Sequence, residues 1–269
     1  MKERIDTFIV AKNGIISRAK AQTLIRNGAV YCNGKKILKP GFWVSEDDII
    51  EIKESHFIRY VSRGGLKLEK AISEFGLDFN GKIVLDVGAS TGGFTDCALQ
   101  HGASIVIAVD VGTGVMDKSL ANDHRVKLYE KTDIRDFPKS KLHNVDFVVC
   151  DVSFISLKNV IIAIQDIKPE MNFVFLIKPQ FECGMDVARR FKGVIRDRKI
   201  HVQVICDIIE YFKTMGLSLK GISYSPICGG DGNIEYITYF CKDENKITRI
   251  GQRDINDIVD NAFDTLLTV

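Results

Sequence analysis

Asp86-Val87-Gly88-Ala89-Ser90-Thr91-Gly92-Gly93-Phe94 is the stretch on which the reading of the fold turns. An apolar run over 82–87 precedes it and a helical pattern over 94–100 follows, so the glycines stand at a strand-to-helix turn. Glycine lets backbone approach a ligand closely, and the free N–H groups of a helix start face outward at such a turn. The Gly-x-Gly-x-x-Gly spacing of dinucleotide enzymes is missing, and Asp86 stands before the first glycine. A carboxylate there repels a pyrophosphate but suits the amino group of a methionine moiety. The loop therefore points to S-adenosylmethionine, with Asp86, Gly88, Ser90, Gly92, Gly93 and Phe94 as candidate contacts.

Outward from this turn, apolar strand patterns recur at 105–110, 126–130, 145–151, 173–177, 221–224 and 234–240. Helical patterns occupy 157–164 and 199–215, and an amphipathic run with Leu66, Leu68, Ala71, Ile72 and Phe75 comes before the first strand. Alternation of this kind predicts an α/β fold with a doubly wound, mostly parallel sheet of Rossmann-like type. The second strand ends at Asp110, whose carboxylate could accept both ribose hydroxyls of the cofactor. After the third comes Asp133, placed to accept the adenine amino group, although an Asx turn or helix cap explains it equally well.

Ligands bind such sheets outside the carboxyl ends of the strands, and two further strands end there in reactive residues. The fourth ends in Cys150-Asp151-Val152-Ser153-Phe154 and the fifth in Ile177-Lys178-Pro179-Gln180-Phe181-Glu182. An Asn-Pro-Pro-aromatic tetrad, suited to the exocyclic amines of bases, does not occur there. A lysine in that place can position or deprotonate a hydroxyl if burial or a cationic neighbour perturbs it. Lys67 could be that neighbour, and Glu235 could hold the pair.

At 269 residues the chain is long enough for one full α/β core and a second small unit. The net charge of +2 is unevenly divided: residues 1–60 carry eleven Lys/Arg against seven Asp/Glu, and the remainder 26 against 28. A basic N-terminal module ahead of an enzyme body suits a polyanion. Residues 5–11 read as a short helix; Ser17 is a plausible cap for a second through Ala19, Leu24 and Ile25, ended by Gly28. Asn33-Gly34, flanked by 29–32 and 35–38, predicts a two-residue hairpin, and a strand over 48–52 follows the Pro40-Gly41 break. Helix, helix, hairpin and strand resemble the alpha-L RNA-binding domain, through Arg4-Ile5-Asp6, Ser17–Ala21, Ile25, Gly28, Val30, Asn33-Gly34 and Asp48. The resemblance implies RNA contacts by Arg4, Arg18, Lys20, Arg26, Lys35 and Lys36.

With both halves in view the chain resembles the TlyA family, an alpha-L domain fused to an FtsJ-type methyltransferase. The matching motifs are Tyr60-Val61-Ser62-Arg63-Gly64-Gly65-Leu66-Lys67-Leu68, Asp86 through Asp96, Asp151-Val152-Ser153-Phe154-Ile155-Ser156-Leu157, Lys178-Pro179-Gln180-Phe181-Glu182 and Ser225-Pro226 with Gly232-Asn233-Ile234-Glu235. The resemblance implies a tetrad of Lys67, Asp151, Lys178 and Glu235, and 2′-O-methylation of cytidine in ribosomal RNA or ribosomal subunits. It also implies that linker residues around Arg59-Tyr60-Val61-Ser62 join RNA binding to cofactor binding. The domains expected are residues 1–58 for RNA, 59–63 as linker and 64–269 for methyl transfer. In two places the sequence departs from the family: Val111-Gly112-Thr113-Gly114-Val115-Met116 replaces the usual Val-Gly-Tyr-Gly-Gln-Leu, and Asp133 stands where asparagine is common.

The same sequence argues against other classes. Its seven cysteines are scattered without C-x-x-C spacing and read as reduced, buried thiols; its five histidines form no metal pattern, and no metal is expected. A cytolysin needs an export signal and an inserting segment, and neither is visible, so a cytoplasmic protein with neither membrane nor DNA as partner is expected. The C-terminal stripe Ile255, Ile258, Val259, Ala262, Phe263, Leu266 and Leu267 is backed by Asp254, Asp257, Asp260 and Asp264, which suits packing on the body or another subunit. A catalytically idle RNA-binding protein is the remaining alternative, disfavoured by the complete tetrad. Oligomeric state is not legible.

Overall fold

The computed structural model describes residues 2–13, 15, 18–26, 28–52, 59–164, 171–229, 231–242 and 250–267, and within them not the side chains of residues 19, 20, 23 and 26. The chain forms two compact units, Met1–Arg63 and Gly64–Val269.

In the first unit β1 (Glu3–Arg4) leads into α1 (Ile5–Lys12), followed by α2 (Arg18–Arg26), β2 (Val30–Cys32), β3 (Lys35–Ile37), β4 (Trp43–Val44) and β5 (Ile50–Ile52). Helix α1 buries Ile5, Phe8 and Ile9 against Ala21, Leu24 and Ile25 of α2 and against Val30, Ile37 and Val44 of the strands. Gly28 ends α2 in the left-handed region at φ 73°, and Gly28 N and Ala29 N donate back to the carbonyls of Ile25 and Leu24. Asn33 and Gly34 have φ of 51° and 76°, the positive pair that a type I′ turn requires. The Asn33 side chain then ties the turn to the chain ahead of β5 by donating to Asp48 and accepting from Ile49 N. The pairing of β1 with β4 was not expected from sequence. The cap expected at Ser17 lies outside the described residues.

The second unit runs α3 (Gly64–Phe75), β6 (Ile83–Val87), α4 (Gly93–Gln100), β7 (Ile105–Val109), α5 (Lys118–Ala121), β8 (Val126–Tyr129), β9 (Phe147–Cys150), α6 (Leu157–Ile164), β10 (Asn172–Ile177), α7 (Pro179–Glu182), α8 (Met185–Arg190), α9 (Arg198–Thr214), β11 (Ser218–Tyr224), β12 (Tyr236–Cys241) and α10 (Gln252–Leu267). Among the described residues its sheet has seven strands in the order β11-β12-β10-β9-β6-β7-β8. Strands β8, β7, β6, β9 and β10 are parallel, while β12 pairs antiparallel with both β10 and β11. Parallel strands are covered on both faces, which is why Ile-Val-Ile-Ala-Val of β7 and Phe-Val-Val-Cys of β9 are nearly uniform apolar runs. Helices α3 and α4 pack together, as do α6, α9 and α10, which together supply the two covering layers.

The mostly parallel α/β fold read from sequence is present. The antiparallel β12, inserted between β10 and β11, departs from the 3-2-1-4-5-6 order of dinucleotide-binding sheets. The order of strands along the sheet reverses between the parallel β6 and β9, so the carboxyl ends of these two strands flank the crevice where ligands bind in open α/β sheets. Helix α10 buries Ile255, Val259, Ala262 and Phe263 in the main core, and Arg198 of α9 pairs with Asp260 and Asp264 on its polar side. Its apolar stripe is therefore used within its own unit. No helix of the described residues is long and apolar enough to cross a membrane. Cys32, Cys97 and Cys150 are buried, whereas Cys183, Cys206, Cys228 and Cys241 are half-buried, a difference from the expectation for all seven.

Candidate active site

Four strands deliver functional side chains to one edge of the sheet. Asp151 follows β9 directly, Lys178 follows β10 and stands at the start of α7 ahead of Pro179, and Asp110 follows β7. Glu235 precedes β12, and because that strand runs the opposite way its amino end meets the carboxyl ends of its neighbours. Lys67 comes from the first turn of α3, whose Leu68 and Ala71 are buried in the unit.

These placements bring Lys178, Asp151, Lys67 and Glu235 together as a chain of alternating charges. Lys178 Nζ lies 2.6 Å from Asp151 Oδ1, Lys67 Nζ lies 3.1 Å from Asp151 Oδ2, and Lys67 Nζ lies 2.7 Å from Glu235 Oε2. Lys67, Lys178 and Glu235 are 8%, 7% and 3% exposed, so water screens the pairs weakly. Burial opposes the charge on Lys67, yet the carboxylates of Asp151 and Glu235 outweigh it and raise the pKa. Burial equally disfavours the Asp151 carboxylate, and the two lysines reverse that and lower its pKa. Gly229 backs the end of the chain: a Cβ there would sit 2.5 Å from Glu235 Oε1, which its ion pair holds in place.

Lys178 also donates to Ser153 Oγ at 3.0 Å and lies 5.8 Å from the centre of the Phe181 ring. Phe181 packs on Phe154, with ring centroids 4.9 Å apart. Phe154 is 90% exposed and adopts φ 65°, a left-handed conformation that costs a bulky residue energy and is maintained chiefly at functional sites. Sequence reading singled out neither Ser153 nor Phe154. A flat apolar ring beside a polar reaction centre offers a face for stacking a planar group. Glu182, at the end of the same segment, accepts from Ser156 Oγ and Leu157 N and so caps α6 from outside that helix.

A cavity of about 390 Å³ opens beside this chain of charges. Gly88, Ser90, Asp110, Asp133, Asp151 and Phe154 are among its lining residues. Asp110 accepts from Ser90 N through Oδ2 and from Gly112 N through Oδ1, both at 2.7 Å, which fixes the carboxylate and leaves each oxygen a second lone pair. Asp133 caps the turn Ile134–Asp136, and both its oxygens are held by the Arg135 guanidinium at 2.9 and 2.6 Å. The cap that sequence left open for Asp133 is thus made, and Arg135 lowers its pKa.

Phe94, Gly92, Gly93 and Asp86 do not line the cavity. Phe94 is buried in the core, and Gly92 and Gly93 start α4 without lining the cavity. A Cβ on Gly88 would meet Asp151 O at 3.0 Å, and one on Gly92 would overlap Leu120. Positive φ (80° and 93°) and the packing of chain on chain call for glycine at both positions, and Gly88 also lines the cavity. Asp86 is fully buried behind the lining: Oδ2 accepts from Thr95 Oγ1 at 2.6 Å, and Oδ1 has no hydrogen-bond partner among the described residues. Burial, outweighing the Thr95 bond, pushes its carboxyl up to about 7. An orphaned buried carboxylate oxygen fits an ammonium group, the end of a methionine moiety.

In the N-terminal unit Asp6 is fully buried and collects Arg4, through Nε and Nη2 at 3.0 Å, Arg18 Nε at 3.0 Å and Gln22 at 2.8 Å. The Arg4 guanidinium, ahead of the other contacts, holds the Asp6 carboxyl far below its usual range. Lys35 and Lys36 are exposed on β3. The side chains expected at Lys20 and Arg26 lie outside the described residues.

Comparison with known proteins matches residues 60–242 to the FtsJ-like methyltransferase family and residues 3–50 to the S4 domain. The chain is 34% identical over 253 residues to "23S rRNA (cytidine-2'-O)-methyltransferase TlyA" of Campylobacter jejuni, covering 87% of this chain and 98% of that protein. It is 35% identical over 240 residues to "16S/23S rRNA (cytidine-2'-O)-methyltransferase TlyA" of Mycobacterium tuberculosis, covering 88% and 89%. A solved structure from Streptococcus thermophilus, named as a candidate hemolysin, superposes with a TM-score of 0.76 at 36% identity, covering 98% of this chain and 96% of that one. Together with the charge chain at the carboxyl edge of a sheet carrying an antiparallel β12, these matches establish that the chain belongs to the FtsJ-like methyltransferase family and, through its S4 domain, to the TlyA branch of it.

Proposed function

We propose that the chain is an S-adenosylmethionine-dependent methyltransferase acting on the 2′-hydroxyl of cytidine in ribosomal RNA, with residues 1–58 binding RNA, 59–63 as linker and 64–269 carrying the chemistry. The observation that carries this reading is the buried Lys178–Asp151–Lys67–Glu235 chain beside the cavity. The cofactor, when bound, supplies an electrophilic methyl group. Asp110 would hold its ribose, Gly88 and Ser90 its backbone-facing side, and Asp86 its ammonium; Asp133, already paired to Arg135, contributes shape more than charge.

Lys178 is positioned for the nucleophile. Two of its hydrogens are directed to Asp151 and Ser153, so its third tetrahedral position remains for the substrate hydroxyl. As an ammonium it donates there and orients the oxygen; as an amine it presents a lone pair and accepts the proton. Glu235 keeps Lys67 in place, so Lys67 and Glu235 act through the other two.

The deciding experiment offers the target RNA with a 2′-deoxycytidine at the modified position, which removes only the nucleophile. Loss of methyl transfer with binding retained is the expected result. Methylation of the deoxy substrate would move the target to a base atom.

Asp86 adds a pH signature. Its folded pKa is raised, so it favours folding most below its ordinary 3.8, and this contribution declines as pH rises toward about 7. A cationic ligand binds the ionised form instead, so cofactor affinity should drop as pH falls through about 7, approaching tenfold per unit, and Asp86→Asn should flatten the profile. Calorimetric titrations with S-adenosylmethionine at and below that pH read this directly, and an unchanged slope in the variant removes Asp86 from the pocket.

A further inference from the structure

Trp43 is the single tryptophan of the chain and is 61% exposed. The strand alternation explains its direction, since its neighbour Val44 is fully buried. Its backbone is fixed: β4 pairs with β1, Ile5 N donates to Phe42 O at 2.8 Å, Asp6 N donates to Pro40 O at 3.3 Å, and Phe42 N closes a turn on Lys39 O. Phe42 and Leu38, also exposed, extend the apolar surface on the same loop. Folding gains little from a tryptophan held out on rigid backbone, and such surface marks a binding site.

The occupant follows from what stands beside it. Arg4 is the residue directly opposite Trp43 in the β1·β4 register, so the two side chains share one face. Arg4 and Arg18 converge on the one carboxylate of Asp6, which orients two guanidiniums and leaves the group a net positive charge. An exposed indole next to paired guanidiniums matches a nucleotide, with the base on the ring and the phosphate on the arginines, and suits an apolar protein surface poorly.

We propose that Trp43, with Arg4 and Arg18, is a stacking site for an unpaired base of the RNA, placed in the N-terminal unit. The proposal rests on the chain being an RNA-binding enzyme. It makes the N-terminal unit a reader of single-stranded RNA in addition to an electrostatic anchor.

The test uses the full chain and its tryptophan emission, with single-stranded oligoadenylate and a blunt RNA duplex as probes. Oligoadenylate should quench Trp43 and the duplex should not. Trp43→Ala should weaken binding of the single strand about tenfold without changing its salt slope, whereas Arg18→Gln should lower that slope by about one. Trp43→Phe, which keeps an aromatic face, should retain most of the affinity. Unchanged emission at saturating RNA, or equal affinity of the Trp43→Ala chain, overturns the stacking site while RNA binding itself stands. Weakened ribosome binding by Trp43→Ala with unaltered affinity for naked RNA assigns the patch to a ribosomal protein and also overturns it. Failure of the parent chain to bind any RNA overturns both this proposal and the RNA reading beneath it.

Discussion

Lys178→Ala should lower methyl transfer by a factor of about 10²–10⁴ while leaving cofactor and RNA affinity nearly unchanged. The expectation rests on which groups lose a partner. Asp151 keeps Lys67 at 3.1 Å after the truncation, so no buried carboxylate is stranded and the fold should persist. Ser153 loses a donor but remains able to bind water. Single-turnover methyl transfer to saturating RNA measures the effect, and a near-normal rate would reduce Lys178 to a structural ion pair.

Lys67→Ala should act differently, lowering stability by about 3–5 kcal/mol as well as activity. This ammonium is shared by Asp151 and Glu235, and its removal leaves Glu235, 3% exposed, without its cation. Because the folded pKa of Lys67 is raised, its contribution is fully present below its ordinary 10.5 and is lost only as pH rises through the higher folded value. In the variant only Glu235 is stranded, since Asp151 keeps Lys178 at 2.6 Å, and a buried carboxylate without a cation costs least when protonated, so the deficit should shrink as pH falls. Denaturant melts of both chains at neutral and mildly acidic pH test this. Adding Glu235→Gln to Lys67→Ala should recover part of the loss, which a cavity effect alone would not allow.

The fold was legible where local chemistry speaks for itself. Asn33-Gly34 names its own turn type, and the apolar runs of β6, β7, β9 and β10 announce a buried parallel sheet. The two-residue pairing of β1 with β4 carries no periodicity and exists only because the turn over Lys39–Phe42 packs on the start of α1. The reversed direction of β12 was equally hidden, since an apolar strand reads the same both ways.

At the site, sequence named the four charged residues that the structure brings together, each at a strand end or a helix start. Of the loop residues named with them, Phe94 and Gly92 pack beneath the cavity, while Asp86, also buried, keeps one carboxylate oxygen without a partner. Ser153 and Phe154 had a signal that was passed over: they lie between Asp151 and the helix that Glu182 caps, on a segment too short to relax. A hydroxyl and an exposed aromatic in such a place are aimed by their surroundings.

The reversed β12 has a consequence for the chain as it is made. Strand β10 is made before β12 and finds its partner on the side away from β9 only when β12 arrives, with Glu235 just ahead of it. A product truncated before residue 235 would hold an intact cofactor loop, a lysine at 67 with one carboxylate fewer, and two strands, β10 and β11, with open edges. Open edges recruit other chains. Premature termination would therefore yield an association-prone fragment that lacks one member of the charge chain.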